Sequence, residues 1–301
     1  MARSRLSILS KAKPSDVRAD PFPHLLIHNA LDHEIFAELN SQFPDVGIVM
    51  NGRKKADTWY AYQACDAIEN PNISLKWKEF IQYHCSKDFY LDFLEIFSEH
   101  IDVYYPNLDS MFLKRPAEYT VSVRQPGEDT NPENLLTDVS LECQFYVNFT
   151  ENPREVRGPH VDRPTELFAA LLYFRQDNDG STGGDLEICR AIDEAQMYPS
   201  PKTIRLDRLP MEVHRERVEI VDFARYSQNT LVFFLNTYKS LHSISERSAT
   251  AVPRRHINFT ADLFNLPAPE LFVVRHAARK RLKRWLKKQP VAWRLASLIN
   301  D

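Results

Sequence analysis

The chain is poor in glycine: 7 of its 301 residues, against a usual level of about 7%. It contains no GxGxxG and no GxxxxGKS or GxxxxGKT. Those glycine-rich turns let a backbone close around a phosphate, so nucleotide-dependent chemistry loses its usual sequence support. Cysteine is also scarce. Cys65, Cys85, Cys143 and Cys189 lie far apart with no CxxC, which reads as free thiols in a reducing cytoplasm. No apolar run approaches the roughly 20 residues of a membrane span. The N-terminal MARSRLSILSKAKPSD has no continuous apolar stretch of the signal-peptide kind. A cytoplasmic location is the expectation. The net charge of −3 does not suit a nucleic-acid binder, and none is expected.

What is present is a core. Hydrophobic residues make up 43% of the chain and aromatics 11%, enough for one large globular domain. The stretch PFPHLLIHNA reads as a short strand, and Leu31 to Phe43 as an amphipathic helix ended by Pro44. Asn51 to Asp66 reads as a loop. From Ser74 to Ile101 the apolar residues recur at helical spacing (Trp77, Phe80, Ile81, His84, then Phe89, Phe93, Ile96, Phe97), predicting one or two helices. After about residue 117 the pattern changes. EYTVSVRQ, DVSLECQFYVNF, LFAALLYFR, GGDLEICR, RVEIVDF, NTLVFFLN and RRHINFTADL are short, β-branched or aromatic and separated by turns. Such a series predicts an all-β sandwich or barrel. The predicted arrangement is a single domain over 1–301: a mainly helical layer over 1–116, a β core over 117–265 and a helical tail over 266–301.

The chemistry-bearing stretch is GPHVDRPTE, which places His160 two positions before Asp162. His242 follows in KSLHSISE, after the strand NTLVFFLN. Two histidines and one carboxylate occupy one face of an octahedral ion and leave the other positions open, a set that suits Fe(II) binding a chelating cosubstrate and dioxygen. Taken alone, HxD is as well explained by an Asp-stabilised turn. Downstream, AVPRRHINF opens a strand with Arg254 and Arg255. An arginine entering a β core needs a buried anion, and its planar fork suits a carboxylate.

With HVD, ALLYF, the glycine pair of STGGDLEI, LHS and PRRHINF in this order, residues 140 to 263 resemble the iron(II)- and 2-oxoglutarate-dependent oxygenases of the prolyl-hydroxylase or phytanoyl-hydroxylase type. The resemblance implies a mainly β, α+β fold with a double-stranded β-helix (jelly-roll) core. It implies His160, Asp162 and His242 as iron ligands. It implies that Arg254 or Arg255 binds the distal carboxylate of 2-oxoglutarate, with Tyr173, Tyr146 and Asn258 lining the cosubstrate site. Strand alternation favours Arg254, because Arg254, His256 and Asn258 then share the polar face. Asn148, Arg163, Trp59 and Tyr60 are candidates for substrate contact. The implied cofactors are Fe(II), 2-oxoglutarate and O2, with ascorbate as a supporting reductant. The implied reaction is oxidation, most simply hydroxylation, of an unactivated C–H bond in a small organic substrate. Two other readings stay open: a cupin-like metal-dependent hydrolase or isomerase, and a non-catalytic jelly-roll binding module. The basic stretch RHAARKRLKRWLKK is predicted to be a helix that contacts an anionic surface, another subunit or the β core itself.

Overall fold

A computed structural model describes residues 3–56, 58–127, 131–194, 212–263 and 271–272. Its strands are β1 (His24–His28), β2 (Trp59–Tyr62), β3 (Val121–Val123), β4 (Val139–Thr150), β5 (Arg154–His160), β6 (Glu166–Tyr173), β7 (Leu186–Ala191), β8 (Val218–Ala224), β9 (Thr230–Leu235), β10 (His242–Arg247) and β11 (Thr250–Leu263). The helices are α1 (His33–Ser41), α2 (Val46–Met50), α3 (Ala64–Glu69), α4 (Leu75–His84), α5 (Lys87–Tyr104), α6 (Leu108–Phe112) and α7 (Pro132–Leu135).

The strands form two sheets. The larger runs β1-β9-β6-β11-β4-β2, with β3 parallel to β4; the smaller runs β5-β10-β7-β8. From β4 to β11 the chain alternates between them, except that β7 and β8 follow one another in the smaller sheet, placing β4-β11-β6-β9 opposite β5-β10-β7-β8. That interleaving is a double-stranded β-helix, the jelly-roll arrangement.

The larger sheet has a different partner on each face. Its outer face carries Leu141, Phe145, Phe168, Phe233, Ile257 and Phe259, which pack against Trp77, Phe80, Phe89 and Phe93 of α4 and α5. These helices form because their apolar residues fall on one stripe and serines cap them. Ser74 accepts from the Trp77 amide at 3.3 Å, and Ser86 from the Phe89 amide at 3.4 Å. Trp77 anchors the layer. It meets Phe43, Phe80 and Phe145 edge-on and donates from Nε1 to the Leu39 carbonyl at 3.0 Å. Truncating such a residue to alanine costs about 3–5 kcal/mol. The inner face packs Ala169, Tyr173, Val232 and Phe234 against Leu186, Ile188 and Ile244 of the smaller sheet.

Two strands had no clear sequence signature. β5 reads as a turn because it contains Gly158-Pro159, yet it lies at the edge of its sheet, where a missing N–H breaks no ladder. β10 is short and polar. The segment read as a loop, Asn51 to Asp66, contains β2 and the start of α3. All four cysteines are free thiols. No helix among the described residues is long and apolar enough to cross a membrane. The basic stretch over 275–288 lies outside the described residues.

Candidate metal centre and anion site

His160 ends β5 and His242 opens β10, and the two face each other across the ladder of the smaller sheet. Their rings are 4.2 Å apart between centroids. Asp162, just beyond β5, closes the set. One carboxylate oxygen is 3.7 Å from His160 Nε2 and the other 3.6 Å from His242 Nε2. Two bonds of about 2.0–2.2 Å to a shared ion span such separations. This is the one group of three or more potential ligands found among the described residues.

The hydrogen bonds support the same use. His160 Nδ1 lies 2.8 Å from the Gly158 carbonyl, and His242 Nδ1 lies 2.9 Å from the Ser240 carbonyl. Each carbonyl can only accept, so each ring carries its proton on Nδ1 and turns a bare Nε2 inward. His160 Nε2 is buried with no hydrogen-bond partner. A bare, buried nitrogen beside a carboxylate suits a cation. Three donors leave coordination positions open, and this imidazole-carboxylate set matches non-haem Fe(II).

The electrostatics agree. Burial, with His242 second, pushes His160 down to about 3. Burial also lowers His242. Burial alone would raise Asp162, but His242, His160 and Arg157 outweigh it and hold the carboxyl below its usual range. The site therefore presents neutral imidazoles and a carboxylate, the ligating forms of all three.

On the facing sheet, β11 pairs Arg254 with Asn148, His256 with Tyr146 and Tyr173, and Asn258 with Gln144 and Leu171. Cross-strand partners share a face, so these residues all line the inner side. Arg254 is 2% exposed. Its Nε donates to the Gly184 carbonyl at 2.9 Å and its Nη2 to the Tyr173 hydroxyl at 3.1 Å; Nη1 lies 3.0 Å from His256 Nδ1. The guanidinium lies 4.9 Å over the Tyr173 ring and 5.1 Å over Tyr226. No carboxylate among the described residues forms an ion pair with it. Gly184 leaves room for the Arg254 side chain, and Gly183 for the β10 backbone. Gly183 sits at φ +73°, and a Cβ there would lie 1.8 Å from the Glu246 carbonyl oxygen.

Arg255 lies on the other face. Its Nε donates to the Phe174 carbonyl and its Nη2 to Asn40 Oδ1, and it stacks 4.6 Å over Phe43. Tyr60 also lies on that face, 3% exposed and edge-on to Phe149. Trp59, its neighbour in β2, lies on the inner side. It is 53% exposed and stacks on Tyr146 at 5.4 Å, and Tyr146 stacks on His256 at 5.0 Å. Asn148 is buried beside this row, accepting from Thr150 Oγ1. Arg163 is drawn into an acidic cluster, 2.6 Å from Glu166 and 3.3 Å from Asp262. Burial, with Asp262 and Asp162, pushes Glu166 up to about 8.

Sequence reading missed Tyr226, Arg247 and Asp179. Arg247 is fully buried, pairs with Asp179 at 2.8 Å and lies 5.7 Å over the Tyr226 ring. They sit in turns and strand ends with no motif of their own. A surface cavity of about 570 Å³ lies elsewhere, between Lys11, the start of α1 and the β8–β9 turn. It contains none of the metal or arginine groups.

No protein-family model matches the chain, and no curated protein matches it. Several solved structures are similar. One is a 2OG-Fe(II) oxygenase-family oxidoreductase from Burkholderia pseudomallei, 10% identical over 79% of this chain and 84% of that one, with a TM-score of 0.39. Another is a prolyl 4-hydroxylase from Phytophthora capsici, 15% identical over 97% and 78%, with a TM-score of 0.44. A third is HygX from Streptomyces hygroscopicus, solved with nickel and 2-oxoglutarate bound, 11% identical over 80% and 82%, with a TM-score of 0.38.

Proposed function

We propose that this chain is an Fe(II)- and 2-oxoglutarate-dependent oxygenase that hydroxylates a C–H bond of a small organic substrate. The observation that carries the reading is Arg254: a buried guanidinium without a carboxylate partner among the described residues, on the sheet that faces the metal triad. A buried, unpaired cation is costly. A dicarboxylate bound to the metal at one end would supply the missing anion at the other. A hydrolase using the same triad would have no need of this residue.

In this reading His160, Asp162 and His242 hold the iron, and Arg254 with Tyr173 holds the distal carboxylate of 2-oxoglutarate. When bound, iron and 2-oxoglutarate supply the activation of O2, coupled to decarboxylation of the oxo acid to succinate and CO2. The chain's own part is to hold the ligands in their deprotonated forms, orient the oxo acid and keep the interior dry. Tyr146 and Asn258 line the space between the anion site and the triad. Trp59, exposed on the inner side, and Asn148, buried beside it, contact the substrate. Arg255 and Tyr60, on the outer face, take no part, and Arg163 serves the acidic cluster.

The test is anaerobic purification with metal analysis, then succinate formation with Fe(II), ascorbate and 2-oxoglutarate across candidate substrates. Stoichiometric iron and succinate formation that needs 2-oxoglutarate are expected. A protein that takes zinc and ignores 2-oxoglutarate would favour the hydrolase reading.

A further inference from the structure

We infer that His256 is a positioning residue that fixes the fork of Arg254 and so sets the enzyme's demand for an oxo acid with a distal carboxylate. The inference rests on the reading of Arg254 as the anion site. Nη1 of Arg254 lies 3.0 Å from His256 Nδ1. A guanidinium nitrogen can only donate, so Nδ1 must be the bare acceptor, and the imidazole carries its proton on Nε2. That is the opposite tautomer from His160 and His242, whose Nδ1 atoms face carbonyls.

The groups around the ring keep it neutral and in place. Burial and then the neighbouring Arg254 push its pKa well below the usual value. Tyr146 stacks on one side at 5.0 Å with planes 29° apart, and Tyr173 stands edge-on at 6.1 Å. A charged His256 could not accept from Arg254 and would repel it.

The consequence lies in what remains of the fork. A guanidinium offers five N–H groups. The Gly184 carbonyl takes the one on Nε, His256 takes one on Nη1 and the Tyr173 hydroxyl takes one on Nη2. One N–H is left on each terminal nitrogen, a matched pair for the two oxygens of one carboxylate. With His256 in place the fork cannot turn to follow an anion at another depth.

The test uses Mn(II)-loaded protein in place of iron, without O2, and reads binding by calorimetry. The probes are 2-oxoglutarate and 2-oxovalerate, which has the same carbon chain without the distal carboxylate. His256→Phe keeps a ring and loses the acceptor. It should weaken 2-oxoglutarate binding by roughly 10- to 100-fold, the scale of one hydrogen bond to a charged group. Mn(II) stoichiometry and 2-oxovalerate affinity should not change. His256→Asn places an amide oxygen near the position of Nδ1 and should recover most of the loss. Unchanged 2-oxoglutarate binding in His256→Phe would overturn the inference. So would an equal loss for both oxo acids, or a His256→Asn variant as weak as His256→Phe. Wild-type protein that binds the two oxo acids equally would sink the underlying reading of Arg254, and this inference with it.

Discussion

Gly184 gives Arg254 both an acceptor and room to lie against it. Its carbonyl takes the Arg254 Nε–H at 2.9 Å, and a Cβ on this glycine would stand 3.4 Å from Arg254 Cδ and 3.2 Å from Arg247 Cδ. At Gly183 the same addition meets backbone, 1.8 Å from the Glu246 oxygen. Both glycines have positive φ, so each alanine pays backbone strain of roughly 1–3 kcal/mol. The two variants should then differ. Gly183→Ala must also push β10 away and should show the larger fall in melting temperature. Gly184→Ala should unfold closer to wild type but lose 2-oxoglutarate affinity, because the crowded atoms belong to arginine side chains. Thermal melts and calorimetry on both variants check the contrast; equal melting temperatures would contradict it.

The triad predicts metal-linked stability. Only the folded chain brings ligand atoms of His160, Asp162 and His242 within 4.8 Å of one another. A ligand that binds only the folded state stabilises it by about 2.7 kcal/mol at 100 times its dissociation constant. Anaerobic Fe(II) or Mn(II) should therefore raise the melting temperature of wild type. His160→Ala and His242→Ala should fold without metal and show no rise. Asp162→Ala should bind metal far more weakly, because it removes the only negative charge of the set. A metal-induced rise of wild-type size in the double histidine variant would remove these residues as ligands.

Much of this site was legible because its residues keep their chemistry in any context. HxD, a distant His and an arginine on a strand can be found by type and order alone. Alternation along RRHINF also placed Arg254, His256 and Asn258 on one face, as the ladder with β4 and β6 does. The α4 and α5 stripes were legible because one face of each packs on the larger sheet. The rest depended on tertiary partners. β5 and β10, the strands that carry the two histidines, are held by the sheet rather than by their own propensity. β2 was hidden because its four residues, Trp59–Tyr62, lie in a polar stretch and are held by pairing with β4. The pairing of Arg254 with His256 needs a side-chain conformation that no spacing reveals.

Arg254 and Arg255 should separate by function. Arg254→Ala removes the proposed partner of a buried carboxylate, a loss of roughly 2–5 kcal/mol. That corresponds to about a 30- to 1,000-fold or greater fall in 2-oxoglutarate affinity. Arg254→Lys should recover only part, since an ammonium lacks the fork. Arg255→Ala instead removes the contacts to Asn40 and Phe43, which tie β11 to the helical layer. It should lower the melting temperature with little change in 2-oxoglutarate binding. The concentration dependence of succinate formation, measured for each variant, tests the assignment; a large loss in Arg255→Ala alone would reverse it.

His84 links acid sensitivity to the N-terminal segment. It lies at the end of α4, 1% exposed, with Nδ1 2.7 Å from the Phe80 carbonyl. Its Nε2 accepts the Ile8 amide at 3.2 Å, so only the neutral ring fits. Burial lowers its pKa from 6.5 to about 3. As pH falls below 6.5 the unfolded chain takes up a proton that the folded one refuses. The stability present above 6.5 is therefore lost progressively down to about pH 3. The loss is up to about 1.4 kcal/mol per pH unit for one group. His160, His242 and His256 act in the same direction in the metal-free protein. Glu142 and Glu166, raised by burial to about 7 and about 8, act oppositely as pH falls towards 4.5. A variant comparison isolates His84. His84→Gln keeps an amide oxygen for the Ile8 amide and cannot titrate. Urea unfolding of metal-free protein at pH 7 and pH 5.5 should show wild type losing roughly 1 kcal/mol more than His84→Gln. Hydrogen exchange should show the Ile8 amide opening first in the wild type. Identical pH dependence in the two proteins would mean that His84 already takes up a proton in the fold.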